Sequence, residues 1–118
     1  MLYTNLKHIE KASEHAQIIS EHEHVVVVCG RMGPACVPVY RVVEELEREY
    51  HHVKFFDMEF DNPESAVIRT LSEVQGFTGI PFTIYYKNGQ VVRATAGIQS
   101  KEQITAILDQ EFVITVNA

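Results

Sequence analysis

The sequence has no tryptophan, only two cysteines, and no long apolar run. A helix that crosses a bilayer needs about 20 consecutive apolar residues, so no membrane partner is expected. Two cysteines, Cys29 and Cys36, are too few for a disulfide scaffold. Positive charge is also scarce: 10 Lys and Arg stand against 16 Asp and Glu, for a formal net charge of −6. The basic residues form no cluster. Nucleic-acid binding draws its affinity from a basic stripe that displaces counterions from phosphates, so no nucleic-acid partner is expected. Repeats, low-complexity tracts and interdomain linkers are missing too. The stretch from Met1 to His8 lacks the apolar core of a signal peptide. The expected location is the cytoplasm, where cysteines serve as buried apolar residues or working thiols.

What is present is a chain of 118 residues, 46% apolar and 22% charged. Those proportions belong to a packed globular protein and rule out a disordered one. The length suits one domain over residues 1–118.

Residues 3–9 suit a short edge strand. Residues 11–22 suit a helix with Ala12, Ala16 and Ile19 on its inner face. Val25 to Val28 is a β-branched run without alternation, as in a strand buried on both faces of a helix-covered parallel sheet. Gly30 and Gly33 mark a loop, and Pro34 suits a helix start. The next helix should reach about Tyr50, with Cys36, Tyr40, Val43, Leu46 and Tyr50 inward and Glu44, Glu45, Glu47, Arg48 and Glu49 outward. Val53 to Phe60 reads as a strand, and Asn62-Pro63 caps a short helix over 63–72. Asn88-Gly89, between Thr83–Tyr86 and Val91-Val92, predicts a two-stranded hairpin with a type I′ turn. Ser100 with Gln103 forms a capping box ahead of a last helix. The order β-α-β-α-β-α-β-β-α predicts an α/β fold: a mixed central sheet with helices on both faces.

That order resembles thioredoxin over about residues 3–112. The matching segments are Met32-Gly33-Pro34, Asp61-Asn62-Pro63, Gly79-Ile80-Pro81, Tyr85 to Val92 and Ala96 to Lys101. The resemblance implies the thioredoxin fold, a cis Ile80–Pro81 peptide facing the turn after the second strand, and a groove for a partner chain beside Pro81. Met32, Gly33, Pro34, Ile80, Pro81 and Ile98 would line that groove. The resemblance implies neither a metal nor a cofactor.

The same resemblance exposes departures. The family's Cys-Gly-Pro-Cys falls on Met32-Gly33-Pro34-Ala35, and a thioether cannot ionise to attack a disulfide. The tryptophan before the motif is Arg31, the buried aspartate of the second strand is Val26, and the lysine of the third strand is Asp57. Cys29 and Cys36 remain, flanking the turn. Cys36 opens a helix, whose unpaired N–H groups favour an anion, so it is the expected attacking thiolate and Cys29 the resolving one. Both could instead be inert small hydrophobes. A disulfide between them needs Cα atoms about 4.4–6.8 Å apart, and hence a loop that folds back tightly through Gly30, Gly33 and Pro34. Asp57, if desolvated beside the turn, is the expected proton shuttle.

The expected function is therefore thiol–disulfide exchange with a partner protein through Cys36, Cys29 and Asp57. The alternative is a redox-inert module that docks a partner protein or peptide in the groove. Six histidines, His8, His15, His22, His24, His51 and His52, lack the i, i+4 spacing of helical zinc ligands and are expected to be exposed. The tail from Phe112 to Val116 is β-prone and suits an edge strand or a dimer contact.

Overall fold

A computed structural model of the chain describes residues 1–114. Five strands form one sheet in the order β1-β3-β2-β4-β5. They are β1 (Lys7–Ile9), β2 (His24–Gly30), β3 (Lys54–Glu59), β4 (Phe82–Lys87) and β5 (Gln90–Ala96). β1 and β2 each run parallel to β3, whereas β4 runs antiparallel to β2 and β5 antiparallel to β4. Four helices cover it: α1 (Ala12–Glu21), α2 (Cys36–Glu47), α3 (Ala66–Arg69) and α4 (Lys101–Glu111). Among the described residues no helix is long and apolar enough to cross a membrane.

The valine run becomes the central strand because both faces of the sheet are covered. All seven residues of β2 are buried. Alternation along a strand sends successive side chains to opposite faces. Val26 and Val28 join Phe55, Tyr85 and the apolar residues of α2 and α4 on one face. Val25, Val27 and Cys29 join Phe56, Met58, Ile84 and Ile68 on the other, with Ile18 and Ile19 of α1 against them.

Local signals hold where the chemistry is local. Asn88 and Gly89 take φ values of 52° and 79° at the hairpin. The Ser100 side chain accepts from the Gln103 N–H while the Gln103 side chain accepts from the Ser100 N–H. Asn62 accepts from the Glu64 N–H and Pro63 follows it.

Several expectations are corrected. The first strand is confined to Lys7–Ile9, and residues 2–6 cross the α2 side without strand pairing. Residues 63–72 form a 3₁₀ turn and the short α3 rather than one helix. Ala16 is exposed and His15 is buried in its place, because the His15 Nε2 meets the Tyr86 hydroxyl at 2.8 Å. His24 is buried as well, against Phe112 and His52. Glu44, expected on the wet face of α2, is buried and accepts from the Asn5 N–H and from Arg41. The β-prone tail is described only through Ile114, where Val113 and Ile114 are exposed and outside any strand; residues 115–118 lie outside the described residues.

Candidate functional site

The sheet end that carries the candidate site is built by three chain reversals. β2 stops at Gly30, the chain turns through residues 31–35, and α2 begins as the Cys36 and Val37 N–H groups donate to the Gly33 carbonyl. β4 starts just after the cis Ile80–Pro81 peptide. β5 ends at Ala96, and the next residue, Gly97, has a φ of 79° that suits glycine and an N–H that donates to the Pro81 carbonyl at 3.0 Å. Because β2 and β4 are antiparallel, the end of one and the start of the other share this edge. Met32, Gly33, Pro34, Ile80, Pro81 and Ile98 all lie here. Pro81 is buried, Pro34 is exposed, and Ile98 leaves 61% of its surface in solvent.

Gly30 is the joint on which the turn packs. A β-carbon at that position would lie 2.8 Å from the Cys36 Sγ, 2.8 Å from the Tyr40 hydroxyl and 3.1 Å from the Pro81 Cβ. Only a residue without a side chain lets these three groups converge. Tyr40 was legible in the sequence as a core residue, but its hydroxyl was not: it is buried, has no hydrogen-bond partner, and burial pushes the phenol well above its ordinary pKa.

The two cysteines do not meet. Cys36 sits on the α2 side, almost wholly buried, with the Arg31 N–H donating to its sulfur at 3.4 Å. Cys29 points to the opposite face, fully buried beside Met58 and Phe82. Burial pushes the Cys29 thiol up to about 12, which leaves almost no thiolate near neutrality. Both cysteines are free. The loop does bring Cys36 back against Gly30 and Arg31, but Cys29 leaves the strand on the face opposite Val26 and Val28, the β2 residues that face α2, so the two thiols lie in different halves of the core.

Arg31, at the position of the family's tryptophan, is fixed without being buried. Its guanidinium donates to both oxygens of Asp61, at 2.8 and 2.9 Å, and lies 5.1 Å from the centre of the Phe60 ring. Asp61 is held below the usual carboxylate range by that guanidinium.

Asp57 is fully buried on the face that carries Cys36 and Tyr40. Its two oxygens are occupied: Thr4 Oγ1 donates to one at 2.5 Å, and His8 Nδ1 meets the other at 2.5 Å. Burial raises its pKa, and the hydrogen bonds from Thr4 and His8 oppose the rise. His8 is exposed, as expected, and also pairs with Asp57 because the two stand opposite each other in the β1–β3 register. Sequence spacing held no sign of that pairing. Among the described residues no group of three His, Cys, Asp or Glu side chains could hold a metal ion.

No family profile matches the chain, and no curated protein does. Solved structures do. The oxidised thioredoxin from Plasmodium falciparum is 21% identical, with 90% of this chain and 97% of that one covered at a TM-score of 0.73. Thioredoxin f2 of Chlamydomonas reinhardtii is 16% identical over 94% of this chain and 100% of that one, at a TM-score of 0.76. A mutant thioredoxin from Halobacterium salinarum is 14% identical over 98% and 100%, also at 0.76. The chain has the thioredoxin fold.

Proposed function

We propose that this chain is a thioredoxin-fold docking module. It takes an extended segment of a partner protein into the groove beside Ile80 and Pro81, bordered by Met32, Gly33, Pro34 and Ile98, and it does not cycle its two thiols. The observation that carries the reading is the placement of Cys29 and Cys36 on opposite faces of the sheet. A dithiol cycle needs a resolving sulfur within bonding reach of the attacking one, and here the sheet itself stands between them. The position from which a thioredoxin attacks holds the Met32 thioether, which has no thiolate form. What the groove keeps is shape and backbone. Ile80 precedes β4 and lies outside its ladder, so its main chain is available to an added extended strand. Ile98 offers exposed apolar surface at the rim. A cytoplasmic location goes with this reading, since neither free thiol serves as a staple.

A second reading keeps the thiol–disulfide oxidoreductase, with Cys36 acting alone and Asp57 relaying its proton. One observation favours it: the Cys36 sulfur sits at the start of α2 and accepts the Arg31 N–H.

Two measurements test the proposal. A peptide selected from a random library against the folded chain should shift the amide signals of Ile80, Gly97 and Ile98 and leave those of Val25 and Val27 in place. Peptides that bind elsewhere would remove the groove from the argument. Thiol titration after mild oxidation should return both native thiols, whereas an intramolecular Cys29–Cys36 disulfide would overturn the redox-inert reading.

A further inference from the structure

Residues 2–6 lie on the α2 side of the sheet and belong to no helix or strand. We propose that they form a strap that covers the Cys36 end of this core and holds the Met32 turn in place, with Asp57 as its anchor. The consequence for docking rests on the groove reading above; the strap itself does not.

Three hydrogen bonds fasten it to the rest of the fold. Thr4 donates its hydroxyl to the buried Asp57 carboxylate, and the same Thr4 oxygen accepts the Leu6 N–H at 3.1 Å. The Asn5 N–H donates to Glu44 Oε2 on α2 at 2.5 Å. The Tyr3 N–H donates to the Met32 sulfur at 3.3 Å. Between these polar ties, Leu2 and Leu6 insert into the cluster that contains Cys36, Val39 and Tyr40, with Met32 packed against it. The strap thus joins the turn residue that replaces the family's nucleophile to a carboxylate on β3.

Its underside is not sealed. A cavity of about 310 Å³ opens beside the anchor, lined by Leu2, His8, Ile9, Asp57, Glu59 and Asn62 among others. Water can therefore enter beside the anchor, where Thr4 is itself half-buried, although the Asp57 carboxylate stays covered. Segments with few buried contacts and solvent-accessible hydrogen bonds open locally, at lower free energy than the whole domain. When the strap lifts, Cys36 loses part of its cover and Met32 loses its tie. Cys29, on the opposite face beneath α1 and α3, keeps its cover.

The two cysteines then report on different events, and no partner is needed to read them. Thr4→Val keeps the side-chain shape and deletes both bonds of the Thr4 oxygen, the one given to the Asp57 carboxylate and the one taken from the Leu6 N–H. In a Cys29→Ser chain this change should speed iodoacetamide alkylation of Cys36 about tenfold. In a Cys36→Ser chain the same change should leave Cys29 alkylation unaltered. Unchanged reactivity at Cys36, or equal acceleration at both cysteines, would overturn the strap, the latter because it marks opening of the whole domain. Hydrogen exchange on the unaltered chain is the second reading. The Asn5 and Leu6 amides should exchange well before those of β2; exchange in step with β2 would also overturn it. A groove that binds no peptide would leave these rates as stated, so the two proposals fail separately.

Discussion

The Cys36 sulfur and the Tyr40 hydroxyl each lie 2.8 Å from the point where a β-carbon on Gly30 would sit. At that convergence the end of β2, the first turn of α2 and Pro81 meet with no volume to spare. Gly30→Ala should cost about 1–3 kcal/mol, the usual range for overpacking a filled core. Tyr40→Phe removes one of the two close atoms together with a buried hydroxyl that has no partner. The single change should therefore be neutral or mildly stabilising, and Gly30→Ala should cost less in that background. Urea denaturation midpoints of the four chains check the cycle.

Asp57 titrates above its reference value of 3.8 because it is buried. With the folded pKa raised, the folded state binds more protons than the unfolded one at intermediate pH. The contribution of Asp57 to stability is then full below 3.8 and falls as pH rises through the folded pKa. The Thr4 hydroxyl is the largest of the influences that pull this pKa back down. Thr4→Val should move the Asp57 midpoint further up, as read from its carboxyl carbon by NMR. A midpoint that stays put would mean that the Thr4 bond does not tune the carboxylate.

His15 carries the opposite sign. Burial lowers its pKa below 6.5, so the unfolded chain binds a proton more readily than the folded one. Its contribution to stability is complete above 6.5 and is lost as pH falls through the folded pKa. Melting temperature should drop on acidification below about pH 6.5, and His15→Gln, which keeps a polar group facing Tyr86, should flatten that drop. An unchanged slope would assign the acid sensitivity elsewhere.

Met32 and Ala35 stand where the resemblance to thioredoxin places the two motif cysteines. Met32→Cys together with Ala35→Cys should raise reduction of a generic protein disulfide above that of the unaltered chain. The readout is turnover with dithiothreitol as the reductant, against the unaltered chain. A double variant that folds and stays inactive would place the departure from thioredoxin in the groove as well as in the motif.

What the sequence determined by itself is whatever short-range chemistry decides. Four consecutive valines suit a strand buried on both faces, Asn88-Gly89 suits a turn that needs two positive φ angles, and Ser100 with Gln103 satisfies a helix start. Linked in order, such local preferences were enough for the sheet and its helices, whereas the groove beside Pro81 was expected only from the resemblance to thioredoxin. Tertiary structure decided what depends on a distant partner. His15 is buried because Tyr86, 71 residues away, receives its ring nitrogen; without that partner a helical histidine reads as wet. Asp57 meets His8 across 49 residues only through the register of β1 on β3. The sequence marked β2 as a strand, whose successive side chains face opposite sides, yet it did not show which side α2 would cover. That packing choice puts Cys36 with Val26 and Val28 and leaves Cys29 behind the sheet. Strand periodicity assigns a side chain to one of two faces, and only the docking of the helices says which face holds the chemistry.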